Sequence, residues 1–373
     1  MRIAQIAPLI ESVPPQLYGG TERIVSYLTE ALVHQGHEVT LFASGDSLTS
    51  AELVPCSERA LRLDPAMREP LPYYTVMLDR VRRRAADFDV LHFHFDYLHF
   101  PLFRDLAGRT LTTHHGRLDL PDLSVVYRAF PEFPLVSISN DQRRPCPNWN
   151  WLRTVHHGLP PDRHPFSPLA RGGYLAFLGR ICPEKRPDQA IEIARRAGVP
   201  LKIAAKVDRV DQAYFNEVIR PLLRDPLIEY VGEIGERDKA AFLGGALALL
   251  FPIDWPEPFG LVMIEAIACG TPVIAYRRGS VPEVLEDGRT GFIVEDLAGA
   301  VAAVAKLDRL DRGTVRAEFE RRFTAERMAK DYLAAYGSLM PVLELSPMTR
   351  VLGRDLGAVG LRDGAGNGAA NAA

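Results

Sequence analysis

Asp254-Trp255-Pro256-Glu257-Pro258-Phe259-Gly260-Leu261-Val262-Met263-Ile264-Glu265-Ala266, followed by Cys269-Gly270-Thr271-Pro272-Val273, joins two apolar runs through a proline-rich turn. A strand ending near Pro252 feeds this turn. The turn delivers Glu257 and the amides of Phe259, Gly260 and Leu261 to the mouth of a helix over 260–269. The first amides of a helix lack intrahelical partners and its dipole favours negative charge there, so the stretch predicts an anion site. Glu265 lies about one turn inside the helix and still reaches the mouth, where one carboxylate accepts from two adjacent ribose hydroxyls. The bare pair of glutamates also reads as solvated helix charge. The Pro-Phe-Gly opening and the apolar Leu-Val-Met-Ile between the glutamates favour the site.

On the N-terminal side of this stretch the sequence alternates short apolar runs with segments of helical spacing. The reading is strand 174–179, helix 187–197, strand 201–205, helix 211–220, strand 228–231, helix 236–246 and strand 247–251; strands at 272–275 and 291–294 follow the central helix. The first half repeats the alternation, with strand Arg2 to Ala7, helix Thr21 to Gln35 ended by Gly36, strand Glu38 to Ala43, helix Tyr74 to Ala86, and strands Val90 to Phe95, Arg109 to Thr113 and Leu135 to Ile138. Strands alternating with helices predict parallel α/β layers. A Pro-rich, charged stretch from Pro160 to Gly173 separates the two series and reads as the linker. Ligands sit at the carboxyl ends of parallel strands, so two such domains facing each other form an interdomain cleft.

The composition agrees with two globular units. The chain has 373 residues, which at roughly 150 per domain gives about two. Hydrophobic residues make up 47% and charged residues 24%, enough for real cores and against global disorder. Forty-four Lys plus Arg against 47 Asp plus Glu leave a net charge of −3, with no cationic field for a nucleic-acid backbone. Apolar stretches fall far short of the roughly 20 residues of a membrane helix. The first residues, broken by Gln5 and Pro8, read as a strand and not as a signal-peptide core. Cys56, Cys146, Cys182 and Cys269 form no Cys-x-x-Cys pair, which fits a reducing cytoplasm. The tail beyond Arg362 is rich in Gly, Ala and Asn and is expected to be disordered.

The central stretch resembles the Glu-x7-Glu motif of retaining nucleotide-sugar glycosyltransferases of family 4, whose GT-B fold has two Rossmann-like domains. Other segments agree in order, and the resemblance covers about residues 2 to 340. Gly19-Gly20 looks like the family's glycine loop, Gly179-Arg180 with Glu184-Lys185 like its diphosphate site, and Gly279-Ser280-Val281-Pro282-Glu283 like its Gly-x-x-Pro-Glu turn. The physics is consistent: glycines let the backbone approach a phosphate, and Arg180 and Lys185 are cations able to neutralise a departing diphosphate. The resemblance implies an acceptor-binding domain over 1–165, a nucleotide-sugar domain over 166–324, a helix near 325–343 crossing back to the first domain, and a tail over 344–373. It implies His115, Arg180, Lys185 and Glu257 as catalytic residues. Gly19, Gly20, Arg180, Lys185, Glu257, Phe259, Gly260, Leu261 and Glu265 are implied as donor-binding, with a UDP-sugar as the first expectation. The implied reaction is front-face substitution with retention; the lack of a convincing metal-ligand set and the candidate counter-charges Arg180 and Lys185 predict that it needs no metal, and no cofactor is expected.

Three motifs compete with this reading. His92 and His94 lie on one strand face, as metal ligands often do, but no third ligand follows at recognisable spacing. Asp87-Phe88-Asp89 has an Asp-x-Asp form used by another glycosyltransferase fold for metal, yet it sits at a helix-to-strand junction. Arg80, Arg82, Arg83 and Arg84 share a helix with Tyr74, Met77, Leu78 and Val81 on the opposite stripe. That is a solvated face, with peripheral contact to anionic lipid at the inner membrane face as the sharper alternative. Alternative functions are a sugar-nucleotide epimerase, a phosphorylase and a noncatalytic sugar-nucleotide binder. A nicotinamide dehydrogenase is disfavoured because no Gly-x-Gly-x-x-Gly follows the first strand.

Overall fold

Thirteen strands divide between two sheets in the computed structural model, which describes residues 1–16 and 19–339. The first sheet contains β1 (Arg2–Ile6), β2 (Glu38–Ser44), β3 (Glu52–Ser57), β4 (Val90–Phe93), β5 (Thr110–Thr113), β6 (Leu135–Ser137) and β7 (Trp151–Thr154), in the order β3-β2-β1-β4-β5-β6-β7. The second contains β8 (Leu175–Arg180), β9 (Leu201–Lys206), β10 (Ile228–Gly232), β11 (Ala248–Phe251), β12 (Val273–Tyr276) and β13 (Gly291–Val294), in the order β10-β9-β8-β11-β12-β13. All pairings are parallel. Each order reverses direction once, between β1 and β4 and between β8 and β11, and crevices open at the carboxyl ends beside such reversals. This is the GT-B arrangement.

In the second sheet the central strands β11 and β12 are fully buried apolar runs, as in a parallel sheet covered on both faces, whereas the central strands β1, β4 and β5 of the first sheet bury Gln5, His92 and Thr112 among their apolar residues. One core gathers Ile6, Phe42, Met77, Val81, Leu91, Phe93, Phe100 and Phe103; another gathers Leu175, Phe177, Ile191, Ile203, Leu250 and Ile274. The edge strands β3 and β7 are absent from the sequence reading for the converse reason. β3 carries Glu52 and Pro55 and β7 is only half-buried, so neither presents a continuous apolar signal. The helices Leu297–Val304 and Arg312–Arg322 were likewise not read from sequence. The helix expected at 211–220 runs to Leu222 and contains a π-turn at Phe215–Ile219 just before Pro221, which has no N–H for the preceding turn.

The helix Leu71–Arg84 begins earlier than its apolar spacing suggests, with Pro72 in its first turn. Its buried residues are Tyr74, Met77, Leu78 and Val81. The arginines opposite are engaged: Arg82 with Asp105, Arg83 with Asp79, Arg84 with Glu52, and Arg80 with the Pro55 carbonyl. Asp87 and Asp89 are held by Arg84 and Arg2. The four cysteines are free and buried. Among the described residues no helix is long and apolar enough to cross a membrane.

After β7 the chain passes to the second sheet and returns beside itself. The Leu159 amide donates to the Phe323 carbonyl at 2.8 Å, and the Ala325 amide donates to the Leu159 carbonyl at 3.0 Å. Gly158 permits this approach, since a Cβ there would lie 2.2 Å from the Thr324 oxygen. The helix Ala325–Leu339 then packs Met328, Tyr332, Ala335 and Tyr336 against the first domain, where Tyr336 Oη accepts from Gln5 Nε2 at 3.0 Å. Residues 340–343 of the expected crossing helix and the tail expected at 344–373 lie outside the described residues.

Candidate active site

The strand-to-helix turn after β11 depends on two left-handed glycines, Gly260 within it and Gly279 in the turn after β12. Gly260 caps the helix Leu261–Ala268 with φ +79°, and a Cβ there would meet Met263 Cε at 2.7 Å. Gly279, with φ +52°, leaves room for the turn itself: a Cβ would fall 2.4 Å from both the amide nitrogen and the carbonyl oxygen of Glu257. Ser280 completes the brace, its amide donating to the Glu257 carbonyl at 3.0 Å and its hydroxyl to the Phe259 carbonyl at 2.8 Å. The helix ladder starts with the Met263 amide bonded to the Gly260 carbonyl, so the amides of Leu261 and Val262 lie at its open end.

This turn forms one wall of a cleft of about 340 Å³. The cleft is lined by Gly19, Gly20, His115, Arg180, Lys185, Glu257, Phe259, Gly260, Leu261 and Glu265, which are all of the site residues expected from sequence. The two glycines differ in what they do. A Cβ on Gly19 would meet Pro15 Cβ at 2.8 Å, a packing constraint within the first domain; a Cβ on Gly20 would lie 3.6 Å from Leu261 Cδ1 across the cleft. The backbone at Gly20 therefore approaches the helix mouth of the second domain.

Charges in the cleft are organised in pairs. Lys185 Nζ bonds Glu257 Oε2, which also accepts from Trp255 Nε1 at 3.0 Å, and the ammonium lies 5.0 Å from the Trp255 ring. Arg180, the last residue of β8, is 3.4 Å from Asp208. Glu265 is buried; Lys239 Nζ donates to its Oε1 at 2.9 Å, while Oε2 has no partner. Burial opposes its charge, but Lys239, His164 and Arg23 together hold its carboxyl below the ordinary value. His164, Glu236 and Glu265 are close enough to resemble a metal-ligand set. Lys239, bonded to Glu265 at 2.9 Å and to Glu236 at 3.1 Å, already supplies the cation between the two carboxylates.

Two further contacts close the cleft between the domains. Arg23 of the Gly20–His34 helix pairs with Glu236, to which Tyr27 Oη also donates at 3.3 Å. Glu283, from the Gly-x-x-Pro-Glu turn, accepts from the amides of Asn140 at 2.7 Å and Asp141 at 2.6 Å and lies 3.3 Å from His156 Nε2. The carboxylate of that turn thus binds the opposite domain.

Residues 18–157 match the family model for Glycosyltransferase Family 4, and residues 166–323 match that for Glycosyl transferases group 1. The chain belongs to the family 4, group 1 glycosyltransferases. Glycogen synthase of Mycobacterium tuberculosis is 25% identical over 391 residues, covering 86% of this chain and 92% of its own. Phosphatidyl-myo-inositol mannosyltransferase of Mycobacterium leprae is 27% identical over 380 residues, covering 90% and 96%. In fold, the chain resembles HepE of Anabaena in complex with UDP and glucose, with a TM-score of 0.69 at 16% identity, over 91% of this chain and all of that one.

The protein is therefore a glycosyl-transfer enzyme, which sets aside the epimerase and noncatalytic alternatives. Sequence reasoning missed Arg23, Lys239, His157 and Trp255 in this glycosyltransferase, of which the first three line the cleft. Arg23 left a signal, since with Glu22 it puts charge beside Ile24, Val25 and Leu28 on the buried side of a helix. Lys239 left none, because its partners Glu236 and Glu265 meet it only through folding. The histidines read as a metal alternative are occupied by hydrogen bonds: His92 with Tyr336 and Thr113, and His94 with Gln5 and His115. Two further clefts adjoin the site. One of about 280 Å³ shares Arg23, Leu178, Gly179, Lys239 and Val262 with it. The other, of about 450 Å³, shares Pro258 and is walled by Asp119, Asp141 and Arg144 of the first domain and Trp255 and Arg278 of the second.

Proposed function

We propose that this glycosyltransferase transfers a sugar from a nucleoside diphosphate to an acceptor hydroxyl with retention of anomeric configuration and without a divalent metal. The observation that carries the donor assignment is Glu265 Oε2, a buried carboxylate oxygen without a partner, in a cleft that also holds Arg180, Lys185 and an open helix mouth. A ribose hydroxyl supplies the missing donor, the diphosphate lies along the Leu261 and Val262 amides, and the nucleobase extends into the adjoining 280 Å³ cleft. The acceptor enters from the 450 Å³ cleft, whose wall comes from both domains. UDP is the first nucleotide to test; the resemblance to HepE with UDP and glucose is one of fold.

Retention without a covalent intermediate is supported by the state of the cleft carboxylates. Glu257 and Glu265 are each paired with a lysine, which leaves neither as an unencumbered nucleophile. In front-face substitution the leaving phosphate oxygen takes the acceptor proton, and the protein positions reactants and stabilises charge. The charge that a metal would neutralise is met by Arg180, Lys185 and the helix amides. The test is a thermal-shift screen of nucleotide sugars, then product analysis by NMR with and without EDTA. The expected product keeps the donor's anomeric configuration at an EDTA-insensitive rate; an inverted product, or turnover that EDTA abolishes and Mg²⁺ or Mn²⁺ restores, overturns the corresponding part.

A further inference from the structure

A continuous chain of buried polar side chains runs through the first domain and ends at His115. Tyr332 Oη is 3.1 Å from Thr113 Oγ1, which is 2.8 Å from His92 Nε2. His92 Nδ1 is 2.8 Å from Tyr336 Oη, and Gln5 Nε2 donates to that phenol oxygen at 3.0 Å. Gln5 Oε1 lies 2.6 Å from His94 Nε2, and His94 Nδ1 lies 3.0 Å from His115 Nε2. Gln5, His92, Tyr332 and Tyr336 are fully buried, and Thr113 and His94 nearly so. The members come from β1, from β4 and β5 and the residues just after them, and from the helix Ala325–Leu339.

Each link constrains the next, because a neutral imidazole has one donor and one acceptor nitrogen. The Gln5 carbonyl oxygen only accepts, so His94 carries its proton on Nε2 and offers a lone pair on Nδ1. That lone pair accepts from His115, whose proton is therefore on Nε2. On the other side Tyr336 accepts from the Gln5 amide and gives its one proton to His92 Nδ1, so His92 Nε2–H donates to Thr113. The direction of the whole chain follows from one amide orientation. Burial keeps the imidazoles neutral: His92 and His94 sit well below the ordinary value, and His115, buried and close to His114, is pushed down to about 3. His115 Nδ1 is the one polar atom left over at the end, closed to water and without a partner.

We propose that Gln5 and His94 are positioning residues that hold His115 as its Nε2–H tautomer, so that the glycosyltransferase meets a hydroxyl of the transferred sugar with a hydrogen-bond acceptor. His115 lines the cleft proposed above for the donor, so placing the sugar beside it rests on that reading; the tautomer does not. A purely structural cluster tolerates either direction of the chain, whereas recognition of a donating hydroxyl needs this one. The enzyme therefore discriminates against donors in which the hydroxyl facing Nδ1 is replaced by fluorine, which cannot donate. The helix Ala325–Leu339 shares in that choice through Tyr336.

The test has two arms on the full chain. Long-range proton–nitrogen correlation on histidine-labelled protein, with His115 assigned by its loss in His115→Asn, reads the tautomer without any substrate. The expected result is an unprotonated Nδ1 and a protonated Nε2; a protonated Nδ1 overturns the inference. In the second arm a panel of singly deoxyfluorinated donors is compared with the parent and the deoxy sugars. At one position fluorine and hydrogen are expected to lower turnover alike, by about tenfold, the scale of one lost hydrogen bond. In His94→Phe that discrimination should collapse. Fluorine tolerated at every position also overturns the inference. If no nucleotide sugar binds, the donor reading fails while the spectra still decide the tautomer, and both arms on the wild type remain decisive if the variant does not fold.

Discussion

Lys185 is held between the Glu257 carboxylate and the face of Trp255, so its ammonium is positioned before any donor arrives. In the proposed reaction bond breaking moves negative charge onto the diphosphate, and a cation fixed beside it would gain interaction energy as the bond lengthens. Lys185→Ala should lower single-turnover rate by on the order of 100-fold, the scale for losing one preorganised charge-stabilising donor. Donor affinity measured by calorimetry should fall by a smaller factor. Arg180→Lys should not restore full activity, because an ammonium lacks the planar fork of a guanidinium; an unchanged chemical rate in both variants would place them outside the site. On the proposed reading Glu265 acts earlier, on binding. Glu265→Gln should weaken nucleotide affinity by roughly 1.5–3 kcal/mol, the range for hydrogen bonds to charged groups. The wild type should also lose affinity for a 2′,3′-dideoxy nucleotide, and equal binding of the two nucleotides would rule out the ribose role.

At the level of elements, the site depends on one turn braced by another. Gly279 and Gly288 both have left-handed backbone, at φ +52° and +73°, so alanine at either costs about 1–2 kcal/mol of strain. Only Gly279 has the Glu257 backbone within 2.4 Å of the missing Cβ; Gly288 has nothing within 4 Å. Gly279→Ala should therefore displace Glu257 and abolish donor binding along with its loss of Tm. Gly288→Ala should cost stability alone. Thermal melts paired with calorimetry separate the two, and equal donor affinity in both variants would show that the brace does not set the site. The same logic explains the sequence pattern: a residue that must be glycine for packing marks the turn as surely as one that touches a ligand.

For the whole molecule the two interdomain contacts act as latches at either side of the cleft. Arg23 with Glu236 and Glu283 with the Asn140 and Asp141 amides come from opposite domains. Arg23→Ala combined with Glu283→Ala should give a larger radius of gyration in solution scattering, contracting again with donor; curves that match the wild type in both states would remove the latch role. The Glu283 contact is also sensitive to acid. Burial raises its carboxyl, but the His156 and backbone hydrogen bonds outweigh that and hold it below the ordinary 4.5. A depressed carboxyl contributes its stability in full above the unfolded value and loses it as pH falls through the folded one. Opening by scattering should therefore set in below about pH 4.5 and be shallower in Glu283→Gln.

The central strands, the Gly19-Gly20 start of the first helix and the residues around Glu257 were legible in the sequence because their signals are local. Buried parallel strands are apolar runs, and a helix mouth behind Pro-Phe-Gly needs only adjacent residues. The edge strands β3 and β7 were not legible, since half-buried edges share their composition with loops. Nor was the use of Glu283 as an interdomain clasp, of Lys239 as the cation between Glu236 and Glu265, or of Gln5 and His94 as partners in line with His115. Those roles join residues from separate elements, and Tyr336 to Gln5 from nearly opposite ends of the described chain. Local pattern determined which elements form and where charge gathers along the chain. Only the packing of two sheets and a returning helix decided which polar groups meet, because each such hydrogen bond depends on positions in space that no spacing along the sequence encodes.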